Sequence, residues 1–135
     1  MLMRKQLADY CYVLNTNNPR ISGVCCQLNK DVSMVFCNVY MPDDDGSNHH
    51  ITKYEAVAGD MQDILDKCLG SKFVFGGDLN IEKHAVNHAQ SCMANFCTAN
   101  KMLWLDHSTG NVDYTFHCNS LGNYSLIDHF YARQS

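Results

Sequence analysis

Residues 73–81, Phe-Val-Phe-Gly-Gly-Asp-Leu-Asn-Ile, run an apolar strand through two glycines into Asp78 and Asn80, which are spaced two apart and so share a side. An apolar run bounded by Gly reads as a strand covered on both faces. The glycines let backbone or ligand approach where a side chain would obstruct. Open α/β sheets bind ligands at the carboxyl ends of their strands, which is where these polar groups fall. A carboxylate and a carboxamide there can activate and orient a water or hold a hard cation. Taken alone, Gly77-Asp78-Leu79-Asn80 also fits a plain strand-ending turn.

Outward from this stretch the chain alternates strand and helix signals. Residues 9–15 and 20–29 carry short β-branched and aromatic runs on either side of Asn15-Thr16-Asn17-Asn18-Pro19, which predicts a hairpin. Residues 32–40 predict the next strand, ended by Pro42 and Asp43-Asp44-Asp45-Gly46, an acid triplet whose consecutive side chains diverge and suit a solvated loop. His49-His50 reads the same way. Thr52 and Glu55 form a capping box, and Tyr54, Val57, Ala58, Met61, Ile64, Leu65 and Cys68 follow helical spacing up to Gly70. The strand at 72–76 comes next, so strand, helix and strand make a crossover in a layered sheet. A second helix is predicted over 86–100, then a strand at Met102–Leu105. Asp113–Cys118 and Tyr124–Ala132 read as a hairpin turning at Gly122-Asn123.

Three motifs stand in order along these elements: Asn38-Val39-Tyr40-Met41-Pro42, Gly77-Asp78-Leu79-Asn80 and Ser125-Leu126-Ile127-Asp128-His129-Phe130. Together they resemble the endonuclease/exonuclease/phosphatase superfamily of deoxyribonuclease I-like phosphodiesterases, with the look of non-LTR retrotransposon and apurinic endonuclease domains. The resemblance covers roughly residues 20 to 131. It implies an α/β fold, a layered β-sandwich with flanking helices, and magnesium- or manganese-dependent phosphodiester hydrolysis, with nucleic acid as the substrate of the complete domain. Phosphoinositide phosphatases and sphingomyelinases share the motifs.

Phosphodiester hydrolysis needs a nucleophilic water, charge stabilisation at phosphorus and help for the leaving oxygen. The resemblance puts Tyr40 at the phosphate, Asp78 and Asn80 at the water and phosphate, and Asp128 beside a histidine that it steers. Asp78 is the metal-ligand candidate, and Thr115 resembles a position facing the substrate. Read as residues only, Tyr40 suits a strand aromatic with its hydroxyl at the rim, and a strand Thr is ordinary. Asp128 in an apolar strand would be costly without a partner.

Two departures from the pattern stand out. The family's first-strand Asn and its main metal-ligating Glu have no counterpart before residue 20. Its closing Ser-Asp-His has none either, because Asp128-His129 follows Ser-x-Ile and continues as Phe-Tyr-Ala, as the earlier strand motif does. The 135 residues therefore read as one partial domain, 1–135, inactive alone. The alternative is a fold remnant retained as a binding surface.

Composition sets the outer bounds. With 46% hydrophobic and 18% charged residues the chain suits a soluble globular domain. No apolar run approaches the roughly 20 residues that span a bilayer, and Arg4, Lys5 and Asp9 interrupt the N-terminus, so an intracellular protein with no membrane and no obligate protein partner is expected. The eight cysteines fall in apolar strands and helix faces without Cys-x-x-Cys, which favours free, packed thiols over disulfides or a zinc site. A net charge of −4 with no Lys/Arg tract predicts weak nucleic-acid binding by this chain alone.

Overall fold

The computed structural model describes residues 4–43, 45, 47–82, 86–105 and 113–133. A short helix α1 (Lys5–Ala8) leads into strands β1 (Cys11–Leu14), β2 (Ile21–Gln27) and β3 (Ser33–Val39). Helix α2 (Asn48–Lys67) crosses to β4 (Lys72–Asp78), and α3 (His88–Asn100) crosses to β5 (Met102–Trp104). The strands β6 (Phe116–Cys118), β7 (Asn123–Ser125) and β8 (Asp128–Arg133) complete the described chain.

Six strands form one sheet in the order β1-β2-β3-β4-β8-β5. β3 and β4 are parallel, as a helical crossover requires, and the other neighbours are antiparallel. β6 and β7 pair separately as a two-stranded ribbon. The predicted hairpin 113–118/124–132 is corrected here: its second half divides at Leu126-Ile127, so that 123–125 pairs with β6 while 128–133 joins the main sheet between β4 and β5. The reason is burial, since Tyr131 and His129 reach the core only from a central strand.

Alternation along the strands builds one dense face. Val35, Cys37 and Val39 of β3, Phe73 and Phe75 of β4 and Tyr131 of β8 pack against Tyr54, Val57, Met61 and Leu65 of α2 and Met93 and Phe96 of α3. The Phe75 ring meets that of Phe96 edge-on at 6.0 Å between centroids. Each such side chain, taken out of water, contributes about 1.5–3 kcal/mol. The opposite face carries a cross-strand row of Val13, Val24, Phe36, Val74, Ala132 and Leu103. Phe36 and Leu103 are exposed, as is Val13 at 79%.

α2 begins five residues earlier than the capping box predicts. Ser47 is its N-cap, its hydroxyl accepting from His50 N at 3.2 Å. Thr52 and Glu55 lie inside the helix, where Glu55 instead meets His88 Nε2 at 3.1 Å, at the start of α3. His50 corrects the solvated-loop reading: it is 4% exposed, with Nε2 3.3 Å from the Pro42 carbonyl and its ring edge-on to Tyr54. That contact extends the buried stripe of α2 by one turn. All eight cysteines are free, with Cys25 and Cys37 buried and the others partly so.

Candidate active site

β3 and β4 run parallel and end side by side, so the segments that follow them meet at one edge. Met41 N donates to the Asp78 carbonyl at 2.8 Å. This holds the Tyr40 and Asp78 segments in register. Beyond Asp78, the side chains of Leu79 and Ile81 are fully buried, which turns Asp78, Asn80 and Glu82 toward solvent. Three neighbours pin this loop. Leu79 N donates to the Ile127 carbonyl at 2.9 Å, the Tyr54 hydroxyl donates to the Leu79 carbonyl at 3.1 Å, and His129 Nε2 lies 2.9 Å from the Ile81 carbonyl.

Asn80 takes a left-handed backbone, φ 50°, and its amide N donates to Asp78 Oδ1 at 3.1 Å. Its side-chain Nδ2 donates to the Met41 carbonyl at 2.8 Å, tying the two loops together. Asn tolerates this conformation better than most residues. An Asn here therefore serves the turn itself as well as any ligand.

Tyr40, Asp78 and Asn80 line a single cavity of about 440 Å³ with Asp43, Glu82, Asn87, Phe116, Ser125 and Ile127. Tyr40 is 49% exposed, and the Arg20 guanidinium lies over its ring, 5.1 Å from the centroid, while Arg20 Nη1 donates to the Tyr40 carbonyl at 3.2 Å. Burial pushes the Asp78 carboxyl above the usual carboxylate range, and the charges of Asp128 and Asp43 add to the effect, against the opposing hydrogen bond from Asn80 N.

Asp128 is the Cα partner of Asp78 across β4 and β8, yet its side chain lines the adjoining depression with Asn38, Gly76 and Phe130. Thr115 braces this segment through its hydroxyl oxygen, which accepts from Ile127 N at 3.2 Å and Asp128 N at 3.1 Å. In the structure Thr115 touches backbone, while its neighbour Phe116 faces the cavity. His129 is not the histidine that Asp128 would steer. Successive strand residues point to opposite faces, and His129 is fully buried. Trp104 Nε1 donates to its Nδ1 at 3.2 Å, which leaves Nε2 to carry the proton toward Ile81 O.

Sequence reasoning missed Asp43, Glu82 and Asn87. Glu82 continues the period of two that marks Asp78 and Asn80, so the signal was present. Asp43 belongs to the acid triplet read as a solvated loop; it is exposed in that loop and also lines the cavity, while Asp44 lies outside the described residues. Asn87 caps α3, its side chain accepting from Gln90 N at 2.9 Å. Among the described residues no three His, Cys, Asp or Glu side chains gather closely enough to hold a metal ion by themselves, and no helix is long and apolar enough to cross a membrane.

No protein-family profile matches the sequence, and no curated protein sequence does. Solved structures do match the fold. An endonuclease/exonuclease/phosphatase family protein from Bacteroides thetaiotaomicron aligns with a TM-score of 0.59 at 14% identity, over 85% of this chain and 40% of that one. The chain shares its fold with this endonuclease/exonuclease/phosphatase family protein. Truncated Caenorhabditis elegans TDP2 gives a TM-score of 0.52 at 14% identity over 93% of this chain and 52% of that one. The mannosyl-6-phosphatase Bt3783 of B. thetaiotaomicron gives 0.57 at 13% identity over 85% and 42%. The chain thus spans about half the length of the endonuclease/exonuclease/phosphatase structures it matches, which agrees with an incomplete deoxyribonuclease I-like sandwich.

Proposed function

We propose that the rim of Tyr40, Asp78, Asn80 and Asp128 is part of a magnesium-dependent phosphodiester hydrolase, an endonuclease acting on DNA, and that these 135 residues are inactive alone. The observation that carries this reading is the cavity in which Asp78, raised by burial and by Asp128 and Asp43, lies beside Asn80 and Tyr40. A carboxylate raised in this way is a stronger base than a free one, which suits a group that positions or deprotonates a water. The Asn80 carboxamide and Tyr40 hydroxyl are the groups available to orient a phosphate oxygen. Thr115 acts by holding Ile127 and Asp128 in place.

The carboxylates around Asp78 repel one another, so a cation would relieve them; the residues fit magnesium or manganese in part. Asp78 would be the protein ligand. Magnesium keeps several waters and takes substrate phosphate oxygens, so a sparse donor set holds it weakly. When bound, the ion supplies positive charge at the scissile phosphate. An acidic chain without a basic tract gains little DNA affinity of its own. DNA is preferred over a sugar phosphate or phospholipid because of the Asn-Val-Tyr-Met-Pro and Ser-Leu-Ile-Asp-His segments.

The test is plasmid nicking with magnesium, run on this chain and on a version completed with the missing strands. Nicking is expected only from the completed version, where Asp78→Ala should cost on the order of a thousandfold or more. Robust nicking by the 135-residue chain, lost on Asp78→Ala, would overturn the claim that it is inactive alone. A completed version that hydrolyses sugar phosphates or phospholipids and not DNA would move the substrate to those classes. One that hydrolyses nothing would favour the second reading, a fold remnant.

A further inference from the structure

Cys11 and Cys26 are Cα partners across the antiparallel pair of β1 and β2. Gln27 N donates to the Tyr10 carbonyl at 2.8 Å, so the flanking Tyr10/Gln27 position is a hydrogen-bonded one. Antiparallel ladders alternate, which makes Cys11/Cys26 a non-hydrogen-bonded pair, the class whose Cα atoms stand about 4.5 Å apart with side chains close together. A disulfide spans Cα separations from about 4.4 Å upward. Both residues are partly exposed. Among the described strand registers no other cysteine stands opposite a cysteine: Cys25 faces Tyr12 and Val35, and Cys37 faces Gly23 and Phe75.

We infer that Cys11 and Cys26 form a reversible disulfide site whose oxidant is a low-molecular-weight disulfide of the glutathione type. The crosslink fastens edge strand β1 to the sheet. Exchange runs in two steps. A Cys11 thiolate attacks one sulfur of oxidised glutathione, forming a mixed disulfide and releasing one glutathione thiolate. Cys26 then loses its proton to solvent and attacks the Cys11 sulfur, which forms the Cys11–Cys26 bond and releases the second glutathione; two electrons pass to glutathione in all. The order follows from the environment. Burial, together with the Cys11 contact, pushes the Cys26 thiol up to about 11, leaving little thiolate there at neutral pH for the first attack.

The experiment incubates the unaltered chain with oxidised glutathione, blocks remaining thiols by alkylation and maps the peptides by mass spectrometry. A Cys11–Cys26 linked peptide, lighter by two hydrogens and released by dithiothreitol, is expected. In Cys26→Ser, Cys11 should stop at the mixed disulfide; in Cys11→Ser, Cys26 should be modified at least about tenfold more slowly. Absence of the linked peptide from the unaltered chain, or linkage of either residue to a different cysteine, would overturn the site. Equal rates in the two variants would overturn the order of attack. Because the map is made first on the natural sequence, it does not depend on a variant folding.

Discussion

Asp78 and Asp128 face one another as the last Cα partners of the antiparallel β4–β8 pair. The Asp78 carboxyl is raised chiefly by burial and further by Asp128, so the folded chain holds its proton more tightly than the unfolded chain does. With the folded pKa raised, stability is fully present below the ordinary aspartate range and falls as pH rises through the folded value. Asp78→Asn is therefore expected to raise the thermal midpoint at pH 7, with the gain vanishing below about pH 4. Thermal melts across pH check this. A gain that persists undiminished in acid would show that ionisation is not its source.

Gly77 and Gly76 should differ sharply in their tolerance of a side chain. At Gly77, φ is +137° and a Cβ would stand 2.2 Å from the Val39 carbonyl oxygen, which is backbone and cannot yield. At Gly76 the Cβ would meet the Phe130 side chain at 2.3 Å, a half-exposed ring whose rotation can relieve the contact. Gly77→Ala should cost more than about 3 kcal/mol and Gly76→Ala about 1 kcal/mol. Urea denaturation of both variants measures the difference, and equal costs would refute the backbone argument.

His129 should prove a structural residue. Its ring bridges Trp104 Nε1 and the Ile81 carbonyl inside the core. His129→Leu is expected to destabilise by about 2–4 kcal/mol and Trp104→Phe by about 1–2 kcal/mol. A double-mutant cycle should show coupling of about 1 kcal/mol. Additive effects would mean that the Trp104 contact contributes nothing.

The exposed apolar residues on the sheet face opposite the helices should make the chain self-associate. Phe36, Leu103 and Phe130 are exposed there, as is Val13 on the edge strand, and large exposed apolar surface of this kind favours association. Sedimentation velocity should show concentration-dependent association in the high micromolar range, relieved by Phe36→Ser with Phe130→Ser. A sharp monomer at all concentrations would contradict this.

Much of this molecule was legible because its signals are local. The apolar run ending in Gly76-Gly77 identifies β4, the spacing of two puts Asp78 and Asn80 on one side, and turn residues delimit β1, β2 and β3. Tertiary contact decided the rest. Ser47 and Thr52 are both capping residues, and the choice between them rests on whether His50 finds a buried place against Pro42 and Tyr54. Asp128 and His129 are neighbours in sequence, yet one reaches the rim and the other the core, because β8 inserts between β4 and β5. Local pattern reports which residues share a face; which face is covered depends on pairing between segments far apart in the chain, and that is settled only when the whole sheet assembles.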